Sequence, residues 1–143
     1  MKWYHKNPDA KQLVRAHKYD AGLDIFSDED VTFEKPTDVK TISTGLHVAI
    51  PMGMVGIIKP RSGLSVKFGT DTLAGVVDAG FRGELKVVMS ALKTPFTLEK
   101  GSKIAQMIIV SHYDGPVTRV GSLEELGEVD DRGEAGFGST GGF

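Results

Sequence analysis

The chain has 143 residues, 40% of them hydrophobic and 25% charged, with a formal net charge of −2. That size and balance predict one soluble globular domain and exclude a general attraction to nucleic acid or to an anionic membrane surface. Cysteine is absent, which excludes disulfides and thiolate metal sites and fits a reducing compartment.

The first ten residues, MKWYHKNPDA, hold no apolar core of signal-peptide length. No apolar run approaches the ~20 residues of a membrane span, so a cytoplasmic protein is expected. Short apolar or alternating runs then follow one another: Leu13–Val14, Leu23–Phe26, Val31–Phe33, Val39–Ile42, Leu46–Ile50, Met54–Ile58, Val76–Val77, Leu85–Met89, Ile104–Val110 and Val117–Val120. Turn formers separate them, as in Lys35-Pro36, Pro51-Met52-Gly53 and Asp114-Gly115-Pro116. Many short strands at this spacing predict an all-β sandwich or barrel. Ser62–Phe68 is the one candidate helix, of about two turns, and Ser122–Leu126 could add one more turn. From 121 the composition shifts: Glu124, Glu125, Glu128, Asp130, Asp131 and Glu134 surround the single base Arg132. This predicts a barrel over 1–120 and a solvated arm over 121–143 within one domain.

The arm ends in GEAGFGSTGGF, in which Gly136 to Gly141 match G-x-G-x-x-G. That dinucleotide fingerprint needs a preceding strand and a following helix. An acidic, apolar-poor stretch precedes it and only Gly142 and Phe143 follow, so the dinucleotide reading is set aside.

Three interior segments carry candidate chemistry. KPRSGLSVKFG puts Arg61, Ser62 and Gly63 in one turn after a strand. Arginine offers a planar fork to phosphate oxygens, and a helix beginning there would add free N–H groups. The plainer alternative is a serine-capped helix with Arg61 in a structural ion pair. GVVDAGFRGEL reads as a β-hairpin turning at Ala79-Gly80, with Asp78 half-buried at the end of the first strand. A carboxylate there can serve as a general base for water, or simply cap the turn. AGLDIFS sets Asp24 in an apolar strand, where it is paired, concerned with a metal, or at a strand end. His5, His17, His47 and His112 are scattered and form no metal-ligand spacing.

Taken in order, AGLDIFS, PRSGLSVKFG, GVVDAGFRGEL, KGSKIAQMIIV and RGEAGFGSTG resemble the five motifs of the trimeric dUTPase family, and they span residues 21–141. The resemblance implies a jelly-roll-like distorted β-barrel with one short helix and an extended C-terminal arm. It implies a homotrimer whose active sites are shared between subunits. It implies hydrolysis of dUTP to dUMP and pyrophosphate, which limits uracil in DNA and supplies dUMP for dTMP synthesis. By position, Asp78 would be the general base that activates water for attack on the α-phosphorus. Gly75, Val76 and Val77 would read uracil through the main chain, with Thr72 near a base-contacting position and Lys86 also at the site. Phe81 stands where the family usually has tyrosine, the ring that packs on deoxyribose. Arg61, Ser62, Gly63 and Gln106 would contact phosphates. Arg132, Phe137, Gly138, Ser139 and Thr140 of the arm would close over bound nucleotide. Mg2+ is the implied cofactor, held mainly by substrate phosphates, with Asp24 reaching its waters.

The chain departs from the family at Phe81 and at Ser102, which gives GSKIAQ where GDRIAQ is usual. A deaminase of dCTP on the same barrel would need a catalytic glutamate in the central segment, and Glu84 is the residue to test. A regulatory module on the same fold, with an unidentified protein partner, is the other alternative. No stable nucleic-acid or membrane binding is expected.

Overall fold

The computed structural model describes residues 1–127. One compact unit spans Met1–Tyr113, and a second begins at Asp114. The first holds β1 (Lys2–Tyr4), β2 (Leu23–Phe26), β3 (Val31–Phe33), β4 (Val39–Ala49), β5 (Met54–Pro60), α1 (Ser62–Phe68), β6 (Asp71–Leu73), β7 (Val76–Val77), β8 (Leu85–Ser90), β9 (Phe96–Leu98) and β10 (Lys103–Ser111). The described part of the second holds a single 3-10 turn, Glu124–Leu126. Among the described residues no helix is long and apolar enough to cross a membrane.

The strands form three sheets, in the orders β1-β4-β8-β6, β2-β10-β5-β7 and β3-β9. All pairings are antiparallel. The fold is all-β and jelly-roll-like, and its sheets do not close into a continuous barrel among the described residues. Alternation explains how a single core forms between them, since successive side chains of a strand point to opposite faces. In β4, Ile42, Thr44, Leu46 and Val48 point inward, and in β8 Leu85, Val87 and Met89 do so. Ile25, Ile104 and Met107 add the inner face of the second sheet. Burying each of these apolar side chains contributes roughly 1.5–3 kcal/mol relative to exposure. The pair β3/β9 joins through rings: Phe33 stacks on Phe96 at 4.9 Å, and Phe96 on Phe68 of α1 at 3.9 Å.

Several expectations change. The two runs Val39–Ile42 and Leu46–Ile50 belong to one strand, β4, because its pairing with β8 shifts between Ser43 and Leu46 rather than ending. Gly45 supplies the positive φ of 61° at that irregularity. A Cβ there would also lie 2.2 Å from Nε2 of the buried His5. Val117–Val120 forms no strand. β1, β6 and β9 are not among the runs read from the sequence.

The expected hairpin around Ala79-Gly80 is also corrected. β7 pairs with β5, through Gly56–Val77 and Ile57–Val76, whereas β8 pairs with β4 and β6. The turn itself is real, with the Phe81 N–H donating to the Asp78 carbonyl at 3.1 Å. The chain uses it to cross from one sheet to the other.

Candidate active site

Two cavities hold most of the described candidate residues, and they share no lining residue. The first, of about 250 Å³, is lined by Ala16, Asp20, Gly22, Asp24, Arg61, Ser62, Gly63 and Gln106. Strand geometry assembles it. Asp24 and Gln106 are register partners across β2 and β10, and β10 continues onto β5, which delivers Arg61 at its end. Leu23, Asp24 and Ile25 are buried in succession, so this carboxylate has been drawn out of water. Burial of a charge requires partners. Asp24 has two: Nε of Arg61 lies 3.3 Å from its Oδ1, and Nζ of Lys103 lies 2.7 Å from its Oδ2. Asp24 is therefore ion-paired in this structure, with Arg61 as one of its two partners.

The serine cap does not form. Arg61 itself is the N-cap residue, with extended φ and ψ and no side-chain capping bond, and Ser62 is the first helical residue. The first intrahelical bond runs from the Ser65 N–H to the Arg61 carbonyl at 3.0 Å. The N–H groups of Ser62 and Gly63 precede it and have no intrahelical acceptor. They edge the same cavity as the guanidinium. Gln106 donates from Nε2 to the Pro60 carbonyl at 3.0 Å, which fixes its amide. A Cβ on Gly22 would lie 2.0 Å from Gln106 Oε1, so glycine makes room for that amide.

The second cavity, of about 210 Å³, is lined by Ile58, Ala74, Gly75, Val76, Val77, Asp78, Phe81, Leu85 and Lys86. Backbone shape builds this one. Ala74 and Gly75 have φ of 57° and 104°, conformations that L side chains rarely adopt. They bring the Gly75 carbonyl to the Ile58 N–H at 2.8 Å. A Cβ on Gly75 would lie 3.1 Å from the Ile58 carbonyl oxygen. Asp78 is exposed, not half-buried as the sequence suggested. β7 contains two residues, so the apolar run ends before it can carry Asp78 under cover. Phe81 is 41% exposed and Val76 is 69% exposed, which leaves apolar surface at the mouth.

Thr72 does not line this cavity. It sits in β6 opposite Met89, its hydroxyl 3.5 Å from the Ile58 carbonyl. Glu84 is occupied elsewhere: it accepts from the Ser43 hydroxyl and, at 3.0 Å, from the Gly45 N–H. The Ser43 bond, seconded by Gly45, lowers its pKa below the ordinary carboxylate value. It braces the irregularity in β4 and is not presented as a catalytic acid. At Ser102 the turn is held by main-chain bonds, Ser27 N–H to Ser102 O at 3.0 Å and Ser102 N–H to Glu99 O at 2.9 Å. Arg132, Phe137, Gly138, Ser139 and Thr140 lie outside the described residues. Sequence reasoning missed Lys103, Gly22 and Ala74. Lys103 was within reach, because it lies in the same motif as Gln106; the strained Ala74 left no sequence signal.

Comparison with known proteins places this geometry. The family model described as dUTPase matches residues 9–141. A deoxyuridine 5'-triphosphate nucleotidohydrolase of Mycolicibacterium gilvum is 43% identical over 95% of this chain and 91% of its own length. One from Clostridium kluyveri is 45% identical over 94% of this chain and 93% of its own. Among solved structures, the dUTPase of Staphylococcus bacteriophage 80alpha with dUPNHPP superposes with a TM-score of 0.85 at 32% identity, over 98% of this chain and 97% of that one. A mutant dUTPase of phage phi11 of S. aureus, described with a structural Mg(II) ion, gives 0.75 at 27% identity over 86% of this chain and 97% of that one. With the family model covering nearly the whole sequence and relatives aligned end to end, the chain belongs to the dUTPase family.

Proposed function

We propose that the chain hydrolyses dUTP to dUMP and pyrophosphate, with water activated by Asp78 attacking the α-phosphorus. The observation that carries this reading is the division of labour between the cavities. The first offers a guanidinium, a hydroxyl, an amide and unpaired helical N–H groups, which is the chemistry of a polyphosphate site. The second offers an apolar mouth, a main-chain edge at Gly75–Val77, an aromatic ring and a carboxylate, which suits a nucleoside and its attacking water. One triphosphate needs both, and within one chain they share no wall among the described residues. A homotrimer in which one subunit's polar cavity faces another's Asp78 resolves this.

Each residue then has a task. Arg61, Ser62, Gly63 and Gln106 hold phosphate oxygens. The main chain of Gly75–Val77 pairs with the uracil edge, and the narrow mouth excludes the thymine methyl and mismatches cytosine. Phe81 packs on the deoxyribose. Asp78 takes the proton of the attacking water. Lys86 adds a cation on the rim of the second cavity. Arg132 and Phe137–Thr140 close over bound nucleotide, Phe137 stacking on the base.

The donor set bears on the metal. Among the described residues no cluster of three or more histidine, aspartate or glutamate side chains could hold an ion alone. One buried carboxylate, Asp24, opens on the phosphate cavity. That set fits Mg2+, which keeps several waters and takes one or two carboxylates plus substrate phosphates. Asp24 would hold its waters, and the ion would offset phosphate charge during attack. A role in limiting uracil incorporation and supplying dUMP, in the cytoplasm, is part of this proposal.

The test is pyrophosphate release from dUTP with magnesium, run beside dCTP, dTTP and UTP, for the parent and Asp78→Asn. Release from dUTP alone is expected, with kcat reduced about 10²–10⁴-fold in the variant and dUTP binding retained. Unchanged kcat in Asp78→Asn would remove Asp78 from the mechanism. No release by the parent would refute the activity.

A further inference from the structure

Phe81 does not hold its place alone. Its backbone is fixed on both sides: its N–H donates to the Asp78 carbonyl at 3.1 Å, and the Arg82 guanidinium donates to the Ala79 and Phe81 carbonyls, each at 2.7 Å. His47 on β4 ties down the next link, its Nδ1 donating to the Arg82 carbonyl at 2.9 Å. From this fixed backbone the side chain projects to the mouth of the second cavity, the residue being 41% exposed. Its far edge lies on Gly83. A Cβ at Gly83 would meet Phe81 Cζ at 2.8 Å, Cε2 at 2.9 Å and Cε1 at 3.7 Å. Real Cβ contacts essentially never fall below 3.0 Å, so any side chain at 83 displaces this ring.

Backbone conformation does not explain the glycine. Gly83 is not among the residues with positive φ, so an alanine would meet no backbone strain there. Nothing but the Phe81 ring is among the three nearest atoms. The missing Cβ therefore leaves room for the ring.

We propose that Gly83 is a specificity-determining positioning residue: by lacking a side chain it seats the Phe81 ring, and through the ring it sets the preference for a 2′-deoxyribose over a ribose. The inference rests on the reading of Phe81 as the sugar-packing ring. A tyrosine has a hydroxyl that can anchor the ring through a hydrogen bond. Phenylalanine has none, so van der Waals contact with Gly83 is what holds this ring's far edge.

The experiment compares kcat and KM for dUTP and UTP in the parent, Gly83→Ala, Phe81→Ala and the double variant, with thermal unfolding measured on each. Gly83→Ala is expected to lower the dUTP-over-UTP ratio of kcat/KM about tenfold, through KM more than kcat. Phe81→Ala should lower it at least as far. The double variant should be no worse than Phe81→Ala, because the glycine acts only through the ring. An unchanged ratio in Gly83→Ala, with Phe81→Ala reduced, would overturn the inference and leave the reading of Phe81 standing. Additive losses would overturn it too, as would a Gly83→Ala loss that tracks unfolding alone. An unchanged ratio in Phe81→Ala would instead refute the sugar role.

Discussion

The two cavities are built by different means. The polar one is a product of side chains on well-paired strands: Asp24 and Gln106 face each other across β2 and β10, and Arg61 and Lys103 neutralise Asp24. The apolar one is a product of backbone shape: two consecutive positive φ values, a two-residue strand and a tight turn. Charge chemistry can tolerate small movements, because long side chains readjust. Recognition by main chain cannot, because a shift of the backbone moves donor, acceptor and wall together. The first cavity should therefore be sensitive to what its side chains are. The second should be sensitive to what its glycines lack.

The largest effect that sharpens this contrast should come from Gly75→Ala. Its φ of 104° and the 3.1 Å approach to the Ile58 carbonyl leave no strain-free position for a methyl group. A cost of about 1–3 kcal/mol is expected, together with near-complete loss of dUTP hydrolysis. Chemical denaturation and steady-state kinetics measure the two, and an active, stable variant would contradict the backbone account.

Asp24→Asn should do less to stability and act differently on catalysis. It leaves Arg61 and Lys103 without their anion, at side-chain exposures of 36% and 35%. Solvent at those cations screens the loss, so about 1 kcal/mol is expected. Activity should fall most at low magnesium and recover in part as magnesium rises. A deficit independent of magnesium would mean that Asp24 serves only the ion pairs.

The smallest effect concerns acid. The pKa of Glu84 is lowered from its ordinary 4.5 by the Ser43 hydroxyl and the Gly45 N–H. A lowered carboxylate stabilises the fold fully above its unfolded value and loses that contribution as pH falls through the folded one. Below about pH 4.5 the parent should therefore lose stability faster than Glu84→Gln. Parallel acid-unfolding curves would show that the β4 irregularity does not depend on this charge.

Much was legible in the residues themselves. Short apolar runs located β5, β8, β10 and the two halves of β4, and the Ser62–Phe68 helix was placed with its observed bounds. Motif order brought Arg61, Ser62, Gly63 and Gln106 to one wall, and Val76, Asp78 and Phe81 to another. Pairing partners were not legible. GVVDAGFRGEL has every local mark of a hairpin, yet β7 and β8 join different sheets, because hydrogen-bond partners are chosen by distant strands. Exposure of Asp78 failed for a related reason: a neighbouring apolar pair says nothing about where the sheet ends.

Short apolar runs and turn formers determined by themselves that the chain is all-β, since both are local properties, and the five motifs in order carried its resemblance to the dUTPase family. Tertiary structure alone decided three things. It gave Asp24 its two cations, set Ala74 and Gly75 in left-handed conformations, and laid the Phe81 ring on Gly83. Each depends on distances between atoms placed by the packing of strands and turns, and the order of residues does not encode those distances locally.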